Sequence, residues 1–183
     1  MMKRLLLTIA AAFVALSSFG QNITAGVRHE AVEVEDNDNE YSIFEYKDDD
    51  GTYGIYMSLG HSFPILEIIT DDSTSSLSHI DETCLYIGKS YDEVLPFLDN
   101  LLALVDQEQG STAKFQGRLT AGSERLTESC TATCMVVNRF LQTKRLSFIF
   151  SSGGHTAEAD LTKSAIKSLR TSFAIYKKLH PSK

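Results

Sequence analysis

Residues 84–110, CLYIGKSYDEVLPFLDNLLALVDQEQG, hold the longest apolar helix pattern of the chain, and the elements around it are read outward from there. Leu85, Tyr86 and Ile87 read as a short buried strand that Gly88 breaks. Ser90 then precedes Glu93 at the spacing of a capping box, in which the serine oxygen accepts a helical amide and the glutamate reaches back to the serine amide. A helix over Ser90–Glu108 follows, and Pro96, which lacks an amide hydrogen, allows its regular part to start near that proline instead. Val94, Leu95, Phe97, Leu98, Leu101, Leu102, Leu104 and Val105 cover about half of its circumference, wider than a half-exposed surface helix needs. Such a helix is expected to lie clamped against a sheet, with Gly110 ending it.

Upstream, the chain opens on Lys3 and Arg4, an apolar run from Leu5 to Leu16, and small residues at Ser18 and Gly20. This is the pattern of a cleaved secretory signal over residues 1–20, since the run is shorter than the roughly 20 residues that span a bilayer. The expected product, Gln21–Lys183, is periplasmic or extracellular and not an integral membrane protein, and it is long enough for a single domain with its own core.

Charge divides that product in two. Residues 21–110 hold 3 basic and 20 acidic side chains, a net of -17, whereas residues 111–183 hold 12 basic and 4 acidic, a net of +8. The simplest account is that one half packs beside the other and neutralises it.

Ile23–Glu35 alternates loosely and reads as one or two edge strands before the polar turn Asp36–Glu40. Asp50-Gly51 is a favoured two-residue hairpin turn, which would pair Tyr46 with Ile55, Phe44 with Met57 and Ser42 with Leu59. That register puts Phe44, Tyr46, Tyr53, Ile55, Met57 and Leu59 on one face. Further strands are expected at Ile65–Thr70, Ala113–Ala121, Thr131–Phe140 and Arg145–Ser151, the last ended by Gly153 and Gly154. Leu161–Leu179 closes the chain as an amphipathic helix with a basic arc of Lys163, Lys167, Arg170, Lys177 and Lys178. The fold class implied is α+β: a mostly antiparallel sheet with two long helices, Ser90–Glu108 and Leu161–Leu179, packed on one face.

Chemistry-bearing residues are sparse. Cys84, Cys130 and Cys134 allow one disulfide in an oxidising compartment. An extended Cys130–Cys134 segment holds its ends roughly 13 Å apart, so Cys84 with Cys130 or Cys134 is the better pair. Ser151, Ser152, Gly153, Gly154 and His155 form a glycine-rich turn that could present a nucleophile at a strand-to-helix junction, the basis for a small secreted hydrolase. The order G-x-S-x-G is missing, and a solvated loop histidine is the plainer reading. Asp36, Asp38 and Glu40 alternate as calcium-loop ligands do, but Tyr41 and Lys47 stand where the loop's glycine and bidentate glutamate belong. No motif implies a cofactor or a resident metal.

Lys114, Arg118 and Arg145 are expected to point out from the open face of the sheet, with Arg139 joining them, as a surface for an anionic partner: an acidic glycan, a lipid headgroup or an acidic protein. Nucleic acid does not suit a net-acidic exported chain without an aromatic-and-basic motif. The reading is an exported binding module rather than a catalyst, with the hydrolase and a calcium-dependent scaffold or adhesion protein as the alternatives.

Overall fold

The computed structural model describes residues 26–37, 39–48, 51–60, 63–64, 82–120, 129–139, 143–152 and 155–181. Its strands are β1 (Val27–Asp36), β2 (Asn39–Lys47), β3 (Tyr53–Ser58), β4 (Phe63–Pro64), β5 (Glu82–Gly88), β6 (Thr112–Thr120), β7 (Cys130–Arg139), β8 (Thr143–Ser152) and β9 (His155–Thr162). Between β5 and β6 lie a single 3-10 turn, Tyr91–Glu93, and helix α1 (Val94–Val105); helix α2 (Lys163–Leu179) follows β9 directly. All nine strands form one sheet in the order β1-β2-β3-β5-β6-β7-β8-β9-β4, antiparallel at every step.

The sheet is curled. In a flat sheet β2 and β9 would stand roughly 29 Å apart, six inter-strand spacings. Instead the Tyr41 hydroxyl on β2 donates to the Asp160 carbonyl on β9 at 3.1 Å, and Thr162 bonds the Asp36 carboxylate across the same seam. At Gly60 the chain leaving β3 passes β2 with φ of +76°, and a Cβ there would sit 2.6 Å from the Glu40 carbonyl oxygen. Glycine alone fits, and the chain runs on to pair Phe63 and Pro64 with β9.

Inside the curl, Ile43, Met57, Leu85, Val136, Phe148 and Leu161 meet Leu98, Leu101 and Val105 of α1 and Ile166, Leu169 and Phe173 of α2, all fully buried. The expected α+β arrangement is therefore corrected: strand dominates, and the sheet wraps around rather than carrying a layer of two long helices. The first helix is a third shorter than the spacing suggests, 12 residues at Val94–Val105. The capping box is present, yet it closes only the 3-10 turn. Pro96 then occupies the third position of α1, where a missing amide costs no helical bond. At the other end Lys144 Nζ donates to the Gln107 carbonyl at 2.7 Å, tying the irregular stretch after α1 to β8.

The second helix also loses its start to a strand. His155–Thr162 forms β9, with Ala157, Ala159 and Leu161 buried and alternating against half-buried Glu158 and Asp160. Thr162 ends that strand and caps α2 by accepting from the Ala165 amide at 3.0 Å.

The β2–β3 hairpin forms, one residue out of the expected register: Tyr46 pairs with Gly54, Phe44 with Tyr56 and Ser42 with Ser58. The Gly51 amide donates to the Asp48 carbonyl, Asp48 donates to Thr52, and Gly51 has φ of +88°. These are the marks of a three-residue loop with a left-handed glycine, not of a two-residue turn. A one-residue slip exchanges the faces. Tyr41, Ile43, Ile55, Met57 and Leu59 point inward, and Phe44, Tyr46 and Tyr56 point outward with Cys84 into a second, separate cluster. There Phe44 stacks on Tyr56 at 5.8 Å, Tyr46 meets Tyr56 edge-on at 6.3 Å, and the Arg28 guanidinium lies 3.7 Å from the Phe44 ring centre. Arg28 is held over the ring by Glu82 at 2.7 Å and by Glu30. The strand expected at Ile65–Thr70 and the segment 1–20 lie outside the described residues.

Candidate functional site

The strand register places Lys114, Arg118, Arg139 and Arg145 on one outer face of β6, β7 and β8, but it does not gather them. Lys114 is exposed opposite Thr133. Arg118 stands opposite Cys84 and hydrogen-bonds Tyr56, so it belongs to the outer aromatic cluster. Arg145 is bound to Asp160 on β9 at 3.1 Å. Arg139 lies at the end of β7 opposite Thr143, and its side chain lies outside the described residues.

The basic arc of α2 is engaged as well. Lys163 pairs with Asp106, Arg170 with Asp99 and Lys177 with Asp92. Acid and base each recur every seven residues and run in opposite directions, so two antiparallel helices meet along a ladder of opposite charge. The Arg170 guanidinium holds the Asp99 carboxyl below the usual carboxylate range, and Lys163 does the same for Asp106. Three of the five cations of that arc are thus paired with carboxylates of the acidic half, while Arg145 is paired with Asp160 within its own half.

Ser151 and His155 also change character. Ser152 pairs with His155 and Ser151 with Thr156, so residues 152–155 close a β8–β9 hairpin instead of opening a helix. The hydrolase reading loses the strand-to-helix junction on which it rested. The cysteines are unpaired: Cys84 lies in the outer cluster, whereas Cys130 and Cys134 face the interior. The sheet lies between Cys84 and the other two, and the expected pair is not bridged in this structure. Burial raises all three thiol pKa values, that of Cys134 to about 12. Asp36 is bonded to Thr162, Asp38 lies outside the described residues, and no group of three metal-ligating side chains occurs among the described residues.

Two groupings were not assembled from the sequence, although Ile149 alone reads as outward-facing there. On the outer face of β7 and β8, Met135 and Ile149 are each 42% exposed and stand as diagonal neighbours, because Met135 pairs with Ser147 and Ile149 with Thr133. The alternation of Cys134, Met135, Val136 and of Phe148, Ile149, Phe150 is the signal for them. At one end of the curl, Glu45 accepts from the Tyr91 hydroxyl at 3.4 Å, burial and then the nearby Glu45 charge raise the pKa of Tyr53, and the Tyr91 ring packs on Tyr176 with centres 5.8 Å apart. The one-residue register error hid this group, since it turns Glu45 away from the face that holds Tyr53.

Comparison with known proteins brings no family to this geometry: no family model, no curated protein and no solved structure matches the chain.

Proposed function

We propose that the chain works by binding a partner protein outside the cytoplasm, after removal of residues 1–20, and that it does so through the outer face of β6–β8. The observation that carries this reading is the diagonal pair Met135 and Ile149, each left 42% exposed, with half-buried Val137 two residues along β7 on the same face. Around them lie Thr112, Lys114 and Thr131 on one side, and Ser147, Glu158 and Arg145 on the other. An apolar centre inside a mixed polar rim is the anatomy of a protein–protein interface. Of the three anionic partners considered, an acidic protein suits this face best. A lipid surface requires several cations together, and here Lys114 stands apart from the paired Arg145. No helix of the described residues is long and apolar enough to cross a membrane.

A photoreactive amino acid at position 149, or at 135, in the full chain expressed in its own cells tests the proposal, with position 175 on α2 as control. A discrete adduct at 149 and 135, absent at 175 and lost with Lys114→Glu, is expected. Equal adducts at all three positions, or none, would reject this face.

A further inference from the structure

We propose a second site, independent of the outer face: the end of the curl where Tyr53 and Tyr91 flank Glu45, with Tyr176 packed on Tyr91, binds an organic cation, an alkylammonium group. Glu45 projects from near the end of β2 toward the inside of the curl, and three other elements meet beside it. Tyr53 comes from the start of β3, Tyr91 from the 3-10 turn, and Tyr176 from the last turns of α2. Tyr91, Phe173 and Tyr176 lie in mutual contact with ring centres 5.8 Å apart, forming an aromatic wall beside the carboxylate.

Three observations point to a cation. First, Glu45 is half-buried, and its bonds come from neutral phenols; among the described residues no lysine or arginine pairs with it. Lys177, on the same helical turn as Tyr176, is committed to Asp92. Second, a neutral phenol donating at 3.4 Å does not cancel the carboxylate's charge, so the negative charge remains for a ligand. Third, the site is reachable: Tyr53 is 39% exposed, and the edges of Glu45 and Tyr176 are half-buried rather than sealed. Aromatic faces next to a fixed carboxylate attract a poorly hydrated cation through both the ring quadrupole and the full charge. Alkylammonium chemistry is shared by free amines and by lysine side chains, and the probes below separate the two.

The chain has no tryptophan and 7 tyrosines, so tyrosine fluorescence of the mature protein reports the site directly. Tetramethylammonium chloride and the tripeptide acetyl-Gly-Lys-Gly-amide are titrated separately, with sodium chloride as the ionic-strength control. A saturable change with a Kd on the order of millimolar is expected for at least one probe. Binding of the tripeptide alone assigns the site to lysine side chains, and binding of tetramethylammonium assigns it to free quaternary amines. Glu45→Gln, which keeps the shape and removes the charge, should weaken binding by about tenfold or more. Tyr53→Phe, which keeps the ring, should weaken it by about threefold at most. No saturable change beyond the sodium control, or equal binding by Glu45→Gln, overturns the proposal.

Discussion

Asp99 on α1 and Arg170 on α2 meet with Oδ1 and Nε 2.5 Å apart, as the middle rung of a ladder whose acidic members fall at 92, 99 and 106 and whose basic members fall at 177, 170 and 163. The residue numbers of each rung add to the same value, as antiparallel helices in fixed register require. The ladder joins the acidic half of the chain to the basic half, and it does so at the surface, where solvent screens each rung.

Stability should therefore fall as salt rises. Between 0.01 M and 1 M sodium chloride the screening length drops from roughly 30 Å to about 3 Å, which silences exposed pairs and leaves the core untouched. The expected outcome is a Tm lowered by a few degrees, and a double exchange, Asp99→Arg with Arg170→Asp, that recovers most of the Tm lost in either single variant. The acid side follows from the same pairs. The Asp99 and Asp106 pKa values are depressed on folding, so their contribution is present above the ordinary value of 3.8 and is lost as pH falls through the depressed ones. A Tm that rises steadily with salt would mean that repulsion among the excess carboxylates outweighs the ladder.

Gly51 supplies the left-handed residue of the β2–β3 loop. Its φ of +88° belongs to the left-handed region, and a Cβ there would meet nothing within 4 Å, so the whole cost of Gly51→Ala is backbone strain, about 1–2 kcal/mol. Gly51→Asn should cost less, because asparagine tolerates that region. Denaturant unfolding of the three proteins checks the order glycine, asparagine, alanine.

The three thiols should be silent in the native state. A thiol-specific disulfide reagent is expected to label none of Cys84, Cys130 and Cys134 in the folded protein and all three after denaturation, since each is buried. Their raised pKa values also set an alkaline limit. Unfolded thiols ionise near 9.0, whereas Cys134 holds its proton to about 12, so the contribution is complete below pH 9 and is lost as pH rises between these values. Rapid labelling of folded protein at neutral pH would contradict the burial of the cysteines.

Much of this was legible in the sequence, and the failures have particular causes. Strong local signals survived: the Ser90–Glu93 box, the β2–β3 hairpin, the strand alternation of Leu146, Phe148 and Phe150, and the separation of charge. The register failed because a three-residue and a two-residue loop both place glycine after acidic residues, and only the long-range partner of Phe44 distinguishes them. Strand β9 was missed because Ala157 and Ala159 carry too little apolar signal to mark a buried strand face between the glycine turn and the helix expected from Leu161, yet both are buried in the fold. The expected basic patch came apart because Asp160, forming an ion pair with Arg145, comes from that unread strand. The Glu45 group could not be assembled, since it draws on four elements whose nearness is a product of the curl.

Thr162 offers the sharpest test of that curl. Its hydroxyl oxygen accepts the Ala165 amide at 3.0 Å, capping α2, and its hydroxyl proton goes to the Asp36 carboxylate on β1. One side chain thus starts the last helix and fastens the first strand to the last. Thr162→Ala removes both bonds and should cost about 1–2 kcal/mol for the cap, with a further contribution of about 1 kcal/mol from leaving Asp36 without its donor. Thr162→Ser keeps the oxygen and should cost only a fraction of that. The two roles separate by amide hydrogen exchange. Loss of the cap alone would speed exchange at Ala165 and its neighbours, whereas an opened seam would also speed exchange along β1 from Val32 to Asp36 while the β7–β8 pair stays protected. Faster exchange confined to α2 would show that Tyr41, through its bond to the Asp160 carbonyl, is enough to hold the ends of the sheet together.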